Sequence, residues 1–306
     1  MVGKIIILIN SIIVLIKYLN KNRPDIVHYF LPFPYIVGGL ASLFSGVKKQ
    51  IMSRRSKNNY QNKYPGVYLL ERFLHSRMSL ILANSNAIVN ELVNEGVMQS
   101  KIKLIYNGVT KHALLNVKNK SDLEQELGIL KDGFTIVIVA NLIKYKGHKD
   151  LLLGLSQVSN RLHPKWTLVC CGSDSFGLKN SLIQFAKELN IMDRILFLGP
   201  RNDIPQILQL ADISVLPSHE EGFSNAILEA MISGLPSIVS NVGGNAEAIR
   251  HEIDGLVVEP HNPNRLGEAI AYLCNNKPIR EKMGENARIR ATSKFSMKTC
   301  VKKYEL

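Results

Sequence analysis

Acidic residues are nearly missing from the first 120 positions of this 306-residue chain. Four Asp and Glu stand there against 17 Lys and Arg, whereas residues 121–306 carry 21 of each, so the net charge of +13 lies wholly in the first part. A one-sided basic surface attracts anionic lipid head groups, nucleic acid or a phosphate-bearing substrate, or is simply a solvated face. It comes with no zinc-finger spacing, RNP-like aromatic motif or helix-turn-helix, so nucleic acid is not an expected partner. Cysteine is also scarce. The four present (Cys170, Cys171, Cys274, Cys300) have no metal-ligand spacing, which argues against a zinc module and fits a reduced, cytoplasmic setting. The adjacent pair Cys170 and Cys171 falls in an apolar, strand-like run and is expected to behave as small hydrophobes.

Long apolar runs are lacking too. The stretch 5–16 is interrupted by Asn10 and Ser11 and falls short of the roughly 20 residues that a spanning helix needs. No small-residue cleavage site follows it; Lys17-Tyr18-Leu19-Asn20-Lys21 does. It reads as a buried helix of an α/β layer in preference to a membrane anchor. No repeat recurs at a solenoid period, and no Gly-x-Gly-x-x-Gly follows an early strand, which disfavours a dinucleotide dehydrogenase.

What is present is a globular balance, 46% hydrophobic and 21% charged, over a length that suggests about two domains. Short β-branched runs alternate with amphipathic stretches, the pattern of βαβ units around parallel sheets. Strands are expected at 25–29, 50–53, 79–83 and 103–106, with helices at 34–44, 67–77 and 86–95. Asn107-Gly108 makes a turn, and 110–120 is a polar connector. A second series then places strands at 135–140, 167–171, 195–198, 213–216, 237–240 and 255–259. Its helices are expected at 148–162, 178–189, 204–209, 225–233, 264–275 and 279–292, with a last amphipathic piece to residue 306. The expected fold class is α/β, with two Rossmann-like domains. The first has fewer strands and opens on a helix.

The most informative segment is Ser218-His219-Glu220-Glu221-Gly222-Phe223-Ser224-Asn225-Ala226-Ile227-Leu228-Glu229-Ala230-Met231. It follows an apolar strand and Pro217 and leads into a helix, and ligands of α/β folds sit outside the carboxyl ends of such strands. Gly222 lets backbone approach a ligand. The amides of Phe223, Ser224 and Asn225 fall at a helix N-terminus, where orphan N–H groups and the helix dipole favour phosphate. Glu221 sits on the loop and Glu229 about two turns on, and carboxylates accept paired hydrogen bonds from vicinal hydroxyls. On pattern alone, a capped surface helix with ordinary glutamates stands beside this reading.

The spacing Glu221-x7-Glu229 within PSHEEGFSNAILEAMISGLPSIVSNVGG closely resembles the nucleotide-sugar site of the family-4 (group 1) retaining glycosyltransferases, which have the GT-B architecture. Supporting stretches recur in the family's order: Asn107-Gly108-Val109, the run from Val139 through Lys146-Gly147, Phe197-Leu198-Gly199, Val242-Gly243-Gly244 with Glu247, and Met283-Gly284. The resemblance implies that Glu229 holds ribose hydroxyls, that Glu221 contacts the transferred sugar, and that the amides of Phe223 to Asn225 bind the donor diphosphate. Lys146 balances the charge on that leaving group, as an oxocarbenium-like transfer requires. The family works without a cofactor or divalent metal, and no Asp-x-Asp is present to bind one. Asn141 stands where relatives carry a phosphate-clamping Arg. Lys144 could compensate as a point charge, though not as a guanidinium fork, or could be a solvated loop lysine. Arg201 borders the nucleobase or is a plain surface arginine.

On the acceptor side, His28 lines a pocket or is a satisfied core histidine. Arg54 and Arg55, near Lys48, Lys49 and Lys57, form the densest basic cluster. They suit the phosphate of a lipid-linked acceptor or a peripheral contact with anionic membrane. The implied domains are 1–120 (acceptor side), 121–290 (nucleotide-sugar side) and a helix at 291–306 packing back toward the first. The implied activity moves sugar from a UDP- or GDP-linked donor to a glycan or lipid-linked acceptor in cell-surface polysaccharide synthesis, in the cytoplasm or at the inner membrane face. Relatives open with a strand and a Gly-rich loop, and no Gly lies between Gly3 and Gly38. The first domain is therefore expected to be shortened, which leaves a non-catalytic nucleotide-sugar-binding remnant or partner subunit as the rival reading.

Overall fold

The computed structural model describes residues 2–57, 64–110 and 120–305; most of the expected connector at 110–120 lies outside them. The chain forms two compact units, Met1–Tyr106 and Asn107–Leu306, and so divides earlier than the linker expected near residue 120.

In the first unit α1 (Val2–Asn22) precedes β1 (Ile26–Phe30), α2 (Pro32–Leu43), β2 (Lys49–Arg54), α3 (Pro65–Arg77), β3 (Leu80–Ala83), α4 (Asn86–Asn94) and β4 (Ile102–Leu104). The strands pair parallel in the order β1-β2-β3-β4. Its core joins Tyr29, Met52, Ile81 and Ala83 of the sheet to Tyr35, Leu74, Ile88 and Leu92 of the helices.

The stretch 5–16 is helical as expected, but its described side chains, from residue 7 on, are not buried. Of the described side chains of α1, Leu19 alone is buried, while Ile7 and Val14 are each 66% exposed. The half-buried residues Leu8, Ile12, Leu15 and Ile16 recur with Leu19 at helical spacing, and α1 packs on α2. The polar residues Asn10, Lys17 and Lys21 are exposed and fall on the face opposite this stripe. Only one of its faces has found a partner among the described residues. None of the described helices is long and apolar enough to cross a membrane.

The second unit has a six-stranded sheet: β5 (Phe134–Val139), β6 (Trp166–Cys171), β7 (Ile195–Gly199), β8 (Ile213–Leu216), β9 (Ser237–Ser240) and β10 (Gly255–Val258). All the pairings are parallel, in the order β10-β9-β8-β5-β6-β7. That is the doubly wound order, in which the direction of winding reverses between β5 and β8. Strand alternation sends Phe134, Ile136, Trp166 and Cys170 to one core and Val137, Val169 and Cys171 to the other. The cysteine pair is therefore split across the sheet. Burial raises both thiols, Cys171 to about 12, as expected of inert small hydrophobes.

Helices α5 (Lys120–Leu127), α6 (His148–Val158), α7 (Lys179–Glu188), α8 (Ile204–Leu210), α9 (Asn225–Ile232), α10 (Asn245–Ala248), α11 (Pro263–Asn275), α12 (Lys277–Lys294) and α13 (Met297–Tyr304) complete the unit. Sequence patterning missed α5 and the one-turn α10. The end of the chain is held to the start of this unit: Val109 N–H donates to Phe295 O, and Met297 N–H to Val109 O.

Candidate functional site

The reversal point brings together two loops that lie far apart in sequence. The loop after β5 carries the single 3-10 turn Lys144–Lys146 before Gly147 and α6. The loop after β8 carries Ser218 to Ser224 into α9. Lys146 Nζ lies 2.5 Å from Glu221 Oε1, and Ser218 Oγ donates to the same carboxylate oxygen at 2.9 Å. The two expected chemical residues thus form an ion pair. Behind Lys146, burial and then the lysine's own charge push His148 down to about 4, so its imidazole is neutral near pH 7 and does not oppose the lysine.

Glycines allow the two loops to close on each other. Gly147 has φ 74°, and a Cβ there would run into the carbonyl oxygen of Pro217. Gly243 has φ 54°, where a Cβ would meet Glu221 O, and Gly244 N–H donates to Gly222 O at 2.8 Å. Gly147→Ala combines a left-handed backbone with a steric clash, a cost of about 1–3 kcal/mol from strain alone. Its melting temperature is expected to fall by at least about 2 °C, at roughly 2–4 °C per kcal/mol. An unchanged Tm by calorimetry would contradict the close approach.

Helix α9 begins at Asn225, so Glu229 lies one turn into it, not the two turns expected; half of the eight-residue spacing is loop. As i and i+4, Asn225 and Glu229 share a face of the helix. Burial raises the Glu229 carboxyl above its ordinary range, and no hydrogen bond to that side chain is formed among the described residues. The helix start is braced by buried Asn107, whose Nδ2 donates to Phe223 O at 2.9 Å and Asn225 Oδ1 at 2.8 Å. The sequence marks Asn107 as a turn residue within a family-like stretch but not as a brace for this helix. The Phe223 ring is buried 5.4 Å from that of Phe295, which leaves its backbone as the part able to serve a ligand. Gly222 and Ser224 are likewise buried.

Other expected residues have different employment. Asn141 is exposed, and its Oδ1 accepts from Ser173 N and Oγ at 3.1 and 3.0 Å, tying the loops after β5 and β6. Lys144 is exposed on the 3-10 turn. Arg201, past β7, forks onto Asp203 at 2.8 and 2.5 Å and reaches Glu126 at 3.7 Å, so its charge is already balanced.

In the first unit, His28 Nε2 bonds Ser53 Oγ at 2.8 Å beside Phe30, and burial holds its pKa below the usual range. Arg54 and Arg55 part company. Arg55 is exposed at the end of β2, whereas Arg54 is 5% exposed and forks onto Glu95 at 2.6 and 2.8 Å. The expectation that both arginines hold an acceptor phosphate is corrected for Arg54, whose guanidinium is committed to an internal carboxylate.

A family model described as "Glycosyl transferases group 1" matches residues 119–290, and one described as "Glycosyltransferase Family 4" matches residues 3–112. The UDP-Gal:alpha-D-GlcNAc-diphosphoundecaprenol alpha-1,3-galactosyltransferase of Escherichia coli is 30% identical over 295 residues, covering 94% of this chain and 76% of that protein. The N-acetyl-alpha-D-glucosaminyl L-malate synthase of Bacillus anthracis is 27% identical over 290 residues, covering 94% and 74%. Among solved structures, Anabaena Alr3699/HepE in complex with UDP-glucose superposes with a TM-score of 0.87 at 24% identity, covering 96% of this chain and 80% of that one. The fold is therefore GT-B.

Proposed function

The chain belongs to the group 1 glycosyltransferases, and from that premise we propose that it transfers a sugar from a nucleoside diphosphate sugar to a glycan or lipid-linked acceptor, with retention at the anomeric carbon and no divalent metal. The setting we propose is cell-surface polysaccharide synthesis at the cytoplasmic face of the membrane. The observation that carries the donor reading is Glu229. It is a half-buried carboxylate with no hydrogen bond to its side chain among the described residues, raised in pKa by burial, one turn inside a helix that starts at the doubly wound reversal point. Vicinal ribose hydroxyls would donate paired hydrogen bonds to its two oxygens.

In this reading the first amides of α9 and the helix dipole meet the diphosphate. Lys146 has three donors, so it can keep Glu221 while pairing with the leaving phosphate as charge builds there. Glu221, freed in part, accepts from a hydroxyl of the transferred sugar. Asn141, Lys144 and Arg201 are assigned to the donor's surroundings, with Arg201 neutralised by Asp203. On the acceptor side we assign His28 and Arg55. The E. coli relative is named for a UDP-sugar donor and a diphosphoundecaprenol-linked acceptor, and the Anabaena protein binds UDP-glucose; UDP-sugars are thus the first donors to test.

A thermal-shift series with UDP, GDP and their sugars tests the reading, because a ligand of the native state raises Tm. UDP is expected to stabilise the protein. Glu229→Ala is expected to weaken UDP-sugar binding about 10–100-fold, the worth of hydrogen bonds to a charged group at about 1.5–3 kcal/mol. The same variant should melt no lower without ligand, since it removes a carboxylate that burial disfavours. Acidification through the raised pKa of Glu229 should also weaken binding, as the neutral acid loses acceptor capacity. No shift with any nucleotide, or an unaffected Glu229→Ala, would sink the proposal.

A further inference from the structure

Beyond the Lys146–Glu221 pair, the same edge of the second unit's sheet gathers three metal-ligating side chains that no local spacing connects. Asp150 lies in the first turn of α6, His219 in the loop after β8, and His261 in the turn after β10. His219 Nε2 is 2.8 Å from Asp150 Oδ2, the His261 ring lies over that of His219 with centroids 3.7 Å apart, and one ligand atom from each lies within 4.8 Å of the others.

An Asp–His pair alone would be an ordinary structural contact. The third group changes its character. His261 is held at φ 57°, a left-handed conformation unfavourable for a residue with a Cβ. The next residue, Asn262, caps α11 by accepting from Arg265 N at 3.0 Å. The turn therefore fixes His261 against His219. Two imidazoles and one carboxylate, with one side open to solvent, form a donor set for borderline divalent transition metals; Mg²⁺ and Ca²⁺ prefer an all-oxygen shell.

We propose that Asp150, His219 and His261 form a transition-metal site of the Zn²⁺ class, with its remaining coordination open to water. The site lies outside the donor machinery but is tied to it. His219 is two residues from Glu221, and its backbone N–H donates to Tyr145 O at 2.6 Å, one residue before Lys146. A bound ion fixes both loops that carry the reacting pair, so metal occupancy controls their mobility.

The test uses the full, tag-free chain after chelator treatment. Titrated Co²⁺ is expected to give a saturable visible d–d absorption at one equivalent per chain. Zn²⁺ should displace it and Mg²⁺ should not, and Zn²⁺ should raise Tm by several degrees. His261→Ala and Asp150→Asn should each weaken Co²⁺ binding at least tenfold while the metal-free Tm is maintained. An absent or non-saturable signal overturns the proposal, as does binding that survives unchanged in His261→Ala. The UDP-induced Tm shift, read on the same samples, reports the donor site separately and is expected to persist in His261→Ala.

Discussion

Lys146→Ala is expected to lower kcat by about 10²–10³-fold, the usual loss when one preorganised charge at a developing anion is removed. KM for the donor should move much less. The ion pair explains this asymmetry. Without donor, Lys146 is already satisfied by Glu221 at 2.5 Å, and Ser218 also supports that carboxylate. As the diphosphate leaves, the ammonium shares its charge with the phosphate, so its contribution grows along the reaction coordinate and appears in kcat. Lys146→Arg should recover little, because a planar, delocalised guanidinium does not reproduce the compact point charge of the ammonium held against Glu221. Steady-state kinetics with a UDP-sugar would check this, with Tm as a control for folding. A kcat within about fivefold of the parent would be far below the loss expected of such a group and would remove Lys146 from the mechanism.

Most of the sheet architecture was legible because buried parallel strands are written as β-branched runs, which any ordering of the chain preserves. The pairing of Lys146 with Glu221, 75 residues apart, also follows from topology, since winding outward in both directions from β5 and β8 places their following loops side by side. Four things did not follow. Helix α5 buries Leu123 and Leu127 among charged residues, too thin a stripe to stand out. In α1 the polar residues Asn10, Lys17 and Lys21 mark the uncovered face, but flanking apolar residues such as Ile7 and Val14 give no sign that they too are exposed. Arg54 and Arg55 read as one basic cluster because nothing near them in sequence shows that Glu95, 41 residues away, engages Arg54 alone. The His219–His261 contact was beyond reach, since it depends on how the turn after β10 folds back toward the loop after β8.

Arg54 leads to the second large effect: Glu95→Ala is expected to destabilise the protein by about 3 kcal/mol, the cost of removing one partner of a buried ion pair. Glu95 accepts both arms of Arg54 and is 3.2 Å from His75 Nε2, while His75 Nδ1 bonds the Tyr35 hydroxyl at 2.6 Å. All four residues are buried, so the network has little access to water as a substitute partner. Burial pushes the Glu95 carboxyl up, but the hydrogen bonds and charges of His75 and Arg54 outweigh it and leave the pKa below its ordinary value. The sign of the pH dependence follows. A carboxyl with a depressed folded pKa contributes stability that is complete above its unfolded pKa and is lost as pH falls through the folded one. Urea melts from neutral pH downward should therefore show an acid-side loss in the parent that is smaller in Glu95→Gln, a variant that keeps the side chain's shape and cannot titrate. Parallel acid profiles for the two proteins would mean that Glu95 and Arg54 do not form the charged pair on which this unit's interior rests.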